Sequence, residues 1–246
     1  RGDFVVGDAT LNRFFSFHVI AVPLVLLGLV AAHILALHEV GSNNPDGVEI
    51  KKRKDVHGHP LDGIPFHPYY TVKDIVGVVV FLMVFSIIVF FAPEGGGYFL
   101  EYNNFLPADP LKTPLHIAPV WYFTPYYSLL RAMVWPLFGI DAKFWGVVAM
   151  GAGVVILAFL PWLDRSPVKS IRYRGPIFKT LLTIFVISFV ILGFLGTQPP
   201  SYAFFGVIPS APVAQVLSAY YFLYFLTMPW WSKIDKYKPE PDRVTM

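Results

Sequence analysis

The 246-residue chain contains no cysteine, and only 14% of its residues are charged. Without thiols it can hold no disulfide framework, no iron–sulfur cluster and no covalently attached c-type haem of its own. The same absence says nothing about compartment, because there is no thiol to read. A signal pattern is missing too: RGDFVVGDAT has no basic start leading into an apolar segment and no cleavage site. The first residue is Arg rather than Met, which reads as part of a longer polypeptide or one product of a split one. There is no internal repeat and no low-complexity segment. The net charge of +3 and a pI near 9 call for no nucleic-acid partner, because the basic residues lie between apolar runs.

What fills the chain is apolar. At 55% hydrophobic and 17% aromatic residues it lies far outside soluble averages. Five runs are long enough to cross a bilayer as helices: about 11–38, 72–91, 142–162, 178–195 and 212–230. The fold class expected is therefore an all-α integral membrane protein with about five transmembrane helices. Pro23 should kink the first of them or need local repair. A polar connection over 39–71 follows, in which His57 and His59 read as solvated rather than metal-binding. The long aromatic, Pro- and Gly-rich connection 93–127 is of a length that is usually functional, with a short helix expected around 128–138.

The positive-inside rule orients these spans. Fourteen Lys and Arg fall on the side of the 39–71 loop, the 163–177 loop and the tail, and five on the other. The first set is expected to be cytoplasmic and the 93–141 loop periplasmic.

The first run, RFFSFHVIAVPLVLLGLVAAHILALHEVGSNNP (residues 13–45), carries two histidines inside its uncharged stretch, His18 and His33. Fifteen positions at ~1.5 Å and ~100° each separate them by roughly 22 Å along the helix and about 60° around it. Ionisable groups inside a membrane default to a functional reading, and imidazole is suited to axial ligation of haem iron. The plain alternative is a hydrogen bond to a neighbouring helix or a seat at the headgroup level. Two histidines at this spacing favour two stacked metal or haem sites.

The same segment, with FHPYYTVKD, KTPLHIAPVWYFTPYYSLLR and LPWLDRSPVKSIRYRG, resembles cytochrome b, the quinol-oxidising subunit of the respiratory cytochrome bc complex, over nearly the whole chain. The resemblance implies the C-terminal part of that subunit. Residues 1–40 would end its N-terminal haem-binding bundle and 41–71 would be a connecting loop. Residues 72–246 would form the C-terminal domain, with four spans and the outer quinol-site loop 93–138. It implies a larger haem-binding helical bundle with two b-type haems, each taking one axial ligand from this chain: His18 for the low-potential haem on the outer side, His33 for the high-potential haem on the inner. Many family members space the pair by fourteen, so the helix here is expected to adjust locally near Pro23.

By the same resemblance His38, Asn44, Lys73 and Asp74 would surround the site of quinone reduction. Pro119, Val120, Trp121 and Tyr122 would form the quinol-oxidation loop, with Tyr122 and Tyr127 as its aromatic positions. The family usually has Pro-Glu-Trp-Tyr there. Valine accepts no proton, so Glu94 or Glu101, upstream in the same loop, is expected to substitute. The implied activity is that of a ubiquinol–cytochrome c reductase subunit using ubiquinone and ubiquinol. Implied partners are the N-terminal part of cytochrome b, a Rieske iron–sulfur subunit, a c-type cytochrome subunit, a second copy of the complex and the lipid bilayer, in a bacterial inner membrane. The photosynthetic relatives, which split the chain after the histidine-bearing helix, fit less well. A proton-coupled transporter with His18 and His33 as relay and a non-catalytic scaffold subunit are the other readings.

Overall fold

The computed structural model describes residues 2, 4–95, 102–107, 109, 111–112, 114, 117–199 and 201–244. Among the described residues the protein is all-α apart from one hairpin of two-residue strands and two isolated bridges. Among the same residues four helices are long and apolar enough to cross a membrane, or five where a bent pair counts as one span. By internal contacts the chain divides into two compact units, Arg1–Asn43 with Glu49–Leu115 and Asn44–Val48 with His116–Met246.

The first unit holds α1 (Asp8–Val40) and α2 (Tyr69–Phe91). Asp8 in the first turn of α1 complements the positive end of the helix dipole. The far end stops at Gly41, whose positive φ of 85° would strain a side chain. Lys51 Nζ donates to the terminal carbonyls of His38 and Glu39, at 3.0 and 2.6 Å, meeting acceptors that the helix leaves open. Where a kink or a local repair was expected, α1 carries a π-turn, Phe17–Ala21, ending two residues before Pro23. The proline kept the helix continuous and displaced its hydrogen-bond ladder instead. α2 ends where Pro93 follows Ala92. The apolar windows of α1 and α2 bury nothing against the rest of the chain. The 55–60 loop closes on itself, with the His57 and His59 amides both donating to Asp55 Oδ1.

The second unit packs α4 (Ala142–Leu163), α5 (Pro176–Thr197) and the bent pair α6 (Ser210–Leu226) and α7 (Met228–Ile234) around a short helix, α3 (Thr124–Ala132). α3 begins earlier than expected and ends at Ala132. Pro125 fits its first turn, and Met133 is already extended ahead of Pro136. The last span is not one straight helix: its halves meet at 61°, with Pro229 just past the break. A hairpin of β1 (Ala203–Phe204) and β2 (Ile208–Pro209) joins α5 to α6.

The core is Leu129, Leu192, Tyr221, Tyr224, Phe225, Met228 and Trp231, with Ala132, Leu195 and Ala214 beside it. Side-chain donors tie the helices by reaching backbone carbonyls. Tyr221 Oη donates to Gly153 (2.7 Å), Tyr220 Oη to Leu181 (2.8 Å) and Ser128 Oγ to Leu192 (2.5 Å). Among the described residues no buried side-chain polar atom lacks a partner. α3 comes this close to α5 because Gly196 faces it: a Cβ there would collide with the Thr124 carbonyl.

One end of this unit is a polar cluster. Asn44 Oδ1 accepts from the amides of Asp46 and Val48 (both 3.1 Å), which folds the 44–48 loop and turns Asp46 inward. The fully buried Asp46 Oδ1 accepts from Tyr173 Oη (2.8 Å) and Arg172 Nη1 (3.2 Å). Ser170 Oγ donates to the Pro45 carbonyl. Nearby, Asp164 and Arg174 form a two-pronged ion pair (2.9 and 2.8 Å), and the Asp235 carboxylate caps α5 through the Ile177 and Phe178 amides.

Two substitutions test this packing. Gly196→Val should cost about 1–3 kcal/mol by overpacking and lower the thermal midpoint in detergent; an unchanged midpoint would show that α3 gives way freely. Asp46→Ala, which removes the charged hydrogen bonds to Tyr173 Oη and Arg172 Nη1, should cost about 1.5–3 kcal/mol, read from the same melting curves.

Candidate functional site

Both intramembrane histidines lie on α1. His18 sits inside the π-turn, in which Val22 N donates to the Phe17 carbonyl, and His33 sits in regular helix. Both side chains are exposed, and neither has a hydrogen-bond or ion-pair partner among the described residues. Among those residues no group of three His, Cys, Asp or Glu is placed to hold a metal ion. What α1 offers is thus single, unengaged imidazoles rather than a closed metal site. An unengaged imidazole on an apolar surface fits one axial position of a haem iron whose other ligand comes from elsewhere.

The residues named for quinone reduction fall in both units. His38 and Asp74 are exposed in the first unit, at the end of α1 and near the start of α2. Lys73, one residue before Asp74, places its ammonium 5.3 Å from the Tyr70 ring centroid. Asn44 belongs to the second unit, and its amide is committed to the 44–48 loop, with Nδ2 donating to the Val48 carbonyl (2.7 Å) as well.

The segment named for quinol oxidation forms the entry to α3. Val120 is extended (φ −53°, ψ 148°), and its carbonyl accepts from Phe123 N (2.8 Å), closing a short turn, Trp121–Phe123. Trp121, Tyr122 and Phe123 are exposed and ring-packed on one another, with centroids 5.5 and 5.1 Å apart. Pro119 is half-buried. Tyr127 lies one turn into α3, half-buried, under the Arg131 guanidinium at 5.5 Å. Glu94 is exposed in the turn after α2, in the first unit. Glu101 lies outside the described residues.

Sequence reasoning missed a cavity beside α3 of about 300 Å³, lined by Ser128, Arg131, Val134, Leu195, Ser210, Ala211 and Ala214. Two of its polar side chains are already engaged. Ser128 bonds the Leu192 carbonyl, and Arg131 Nη1 donates to the Gln198 carbonyl (2.8 Å) and, longer, to that of Leu195 (3.4 Å). Ser128 and Arg131, three apart on a helix, were the available signal.

Comparison with known proteins places these features. A family profile described as cytochrome b (N-terminal)/b6/petB matches residues 1–125, and one described as cytochrome b (C-terminal)/b6/petD matches residues 107–222. The chain is 58% identical to the cytochrome b of Allochromatium vinosum, over 100% of this chain and 58% of that protein. It is 44% identical to that of Rhodospirillum rubrum, over 99% of this chain and 54% of the relative. With the cytochrome b/c1 of Bradyrhizobium diazoefficiens the identity is 40%, over 99% of this chain and 32% of that protein. The chain thus spans little more than half the length of most curated relatives it matches. Two apolar helices with unengaged imidazoles on one of them, a helical unit entered through Pro119–Tyr122, and both family profiles across the join lead to one conclusion: the chain belongs to the cytochrome b family of respiratory cytochrome bc complexes.

Proposed function

We propose that this chain acts as the C-terminal part of cytochrome b in a quinol–cytochrome c oxidoreductase of a bacterial inner membrane. The observation that carries the reading is the pair of unengaged imidazoles, His18 and His33, on one membrane-length helix. His18 would supply one axial ligand to a low-potential b-type haem and His33 one to a high-potential haem. The second ligands would come from the N-terminal part of the subunit. Bound haems supply a relay for single electrons across the bilayer. The rest of α1 between the two histidines is apolar, so it holds water and protons away from that route.

Quinone reduction needs two protons at the carbonyl oxygens. His38 is suited to hydrogen-bond one oxygen, and Asp74 beside Lys73 to deliver a proton to the other. Asn44 would contribute indirectly, by shaping the 44–48 loop. Quinol oxidation would take place against Pro119–Tyr122, with Tyr122 and Tyr127 as aromatic walls, and the proton that Val120 cannot take would pass to Glu94 or Glu101. A Rieske iron–sulfur subunit and the haems held by His18 and His33 would supply the two one-electron acceptors for the quinol, and proton release and uptake on opposite faces would build the potential. The Lys and Arg distribution puts quinone reduction and loops 39–71 and 163–177 on the cytoplasmic side, and loop 93–141 on the periplasmic side. A c-type cytochrome subunit and a second copy of the complex complete the assembly.

A reduced-minus-oxidised spectrum of the complex with its native partners tests the haem assignment. Two b-type signals are expected, with His18→Ala removing one and His33→Ala the other; a complete complex without either signal ends the reading. For the displaced proton acceptor, Glu94→Gln with Glu101→Gln should slow quinol oxidation by roughly 100-fold while haem content holds. Unchanged turnover in the double variant would clear both residues of the role.

A further inference from the structure

Fifteen residues separate His18 from His33. On an unbroken α-helix, at about 100° per residue, the two side chains would lie roughly 60° apart in azimuth. α1 is broken in register, though not in continuity. At Phe17–Ala21 it opens to a π-turn, whose closing bond runs from Val22 N to the Phe17 carbonyl, five residues back. A π-turn encloses one residue more than an α-turn. Everything after it is set back by one residue, about 100°. Fifteen residues then act as fourteen, and the azimuth becomes roughly 40° on the opposite side. The turn therefore decides to which side of His33 the His18 imidazole falls.

The turn has a covalent neighbour that accounts for its position. In a regular α-helix the Pro23 ring would press on the carbonyl four residues back, that of Val19, and would leave it without a donor. Opening the ladder over Phe17–Ala21, just ahead of Val22 and Pro23, takes the backbone off the α register in which that clash arises. Nothing else in the stretch does this: FHVIA has no glycine, and Ser16 Oγ donates backward to the Asn12 carbonyl (2.9 Å), ahead of the turn.

We propose that Pro23 is a positioning residue: by holding Phe17–Ala21 in the π form it sets the azimuth of His18 relative to His33, and with it the orientation of the axial ligand that His18 offers. The inference rests on the haem-ligand reading above and goes beyond it, because it names what aims the ligand.

The test uses the full subunit assembled with its native partners. Low-temperature EPR of the oxidised complex reads the orientation of axial imidazole planes separately for each low-spin haem, alongside the visible spectrum. Pro23→Ala lets a regular α-helix close through the turn. The largest g value of the His18 haem should shift, or its haem should be retained about 10-fold less well, while the His33 haem is unchanged. Deleting Ile20 in the Pro23→Ala background removes the surplus residue and should return the His18 signal to that of the unsubstituted complex. An unaltered His18 signal in Pro23→Ala overturns the proposal. So does a deletion that fails to restore it, including where Pro23→Ala does not accumulate. An unsubstituted complex lacking both haem signals overturns the ligand reading instead, so the two failures are told apart.

Discussion

A polar group left unbonded in hydrocarbon costs on the order of several kcal/mol, and the second unit is built around avoiding that cost. Its helices are tied by side-chain donors that reach carbonyls already used in the helical ladder, drawing on their second lone pair. Tyr220, Tyr221 and Ser128 cross to a neighbouring helix in this way, and Trp231 Nε1 reaches back to the Tyr224 carbonyl (3.1 Å). Such bonds need backbones near one another. Gly196 meets that need where α5 passes Thr124, and Gly153 meets it where α4 passes Leu129. The aromatic core then fills what the close approach leaves, with Phe185 stacked on Tyr224 at 4.5 Å.

The first unit meets the same constraint differently, and the contrast carries the functional reading. α1 and α2 bury none of their apolar windows. Among the described residues no fully buried side-chain polar atom of the second unit lacks a partner, whereas α1 leaves two imidazoles with none. Groups that are costly to carry in lipid and unengaged among the described residues are what the proposed haem-ligand reading calls for.

The apolar runs made the spans legible, because a bilayer demands length and lack of charge and little else. All five were located to within a few residues of the helices found. What stayed illegible depends on contacts between segments far apart in sequence. Asn44 read as a quinone-site residue and Asp46 as an ordinary polar loop residue, yet one folds the loop and the other is fully buried against Arg172 and Tyr173, more than 120 residues away. Proline was legible as a disturbance in α1 but not as a kind of disturbance. The sequence alone does not decide between bending a helix and opening one turn of it, since both relieve the same clash. The start of α3 was misjudged because TPYYSLL carries no strong stop signal, and the turn ahead of it depends on Thr124 Oγ1 donating to the Trp121 carbonyl (2.7 Å).

Val120 separates the shape of the Pro119–Tyr122 segment from its proton chemistry. The turn that leads into α3 uses the backbone of Val120: its extended φ and ψ and its carbonyl, bonded to Phe123 N. β-branched residues favour extended backbone, so valine suits this position at least as well as an acid would. The side chain itself is half-exposed and free to differ. Folding therefore places no demand for a carboxylate here, and the loss of one leaves Trp121, Tyr122 and Tyr127 where the turn and α3 put them. A proton acceptor need only lie within reach of the quinol, directly or through one water. Under the proposed quinol-oxidation reading that requirement is looser than the one on the turn, so an acid elsewhere in the loop can meet it.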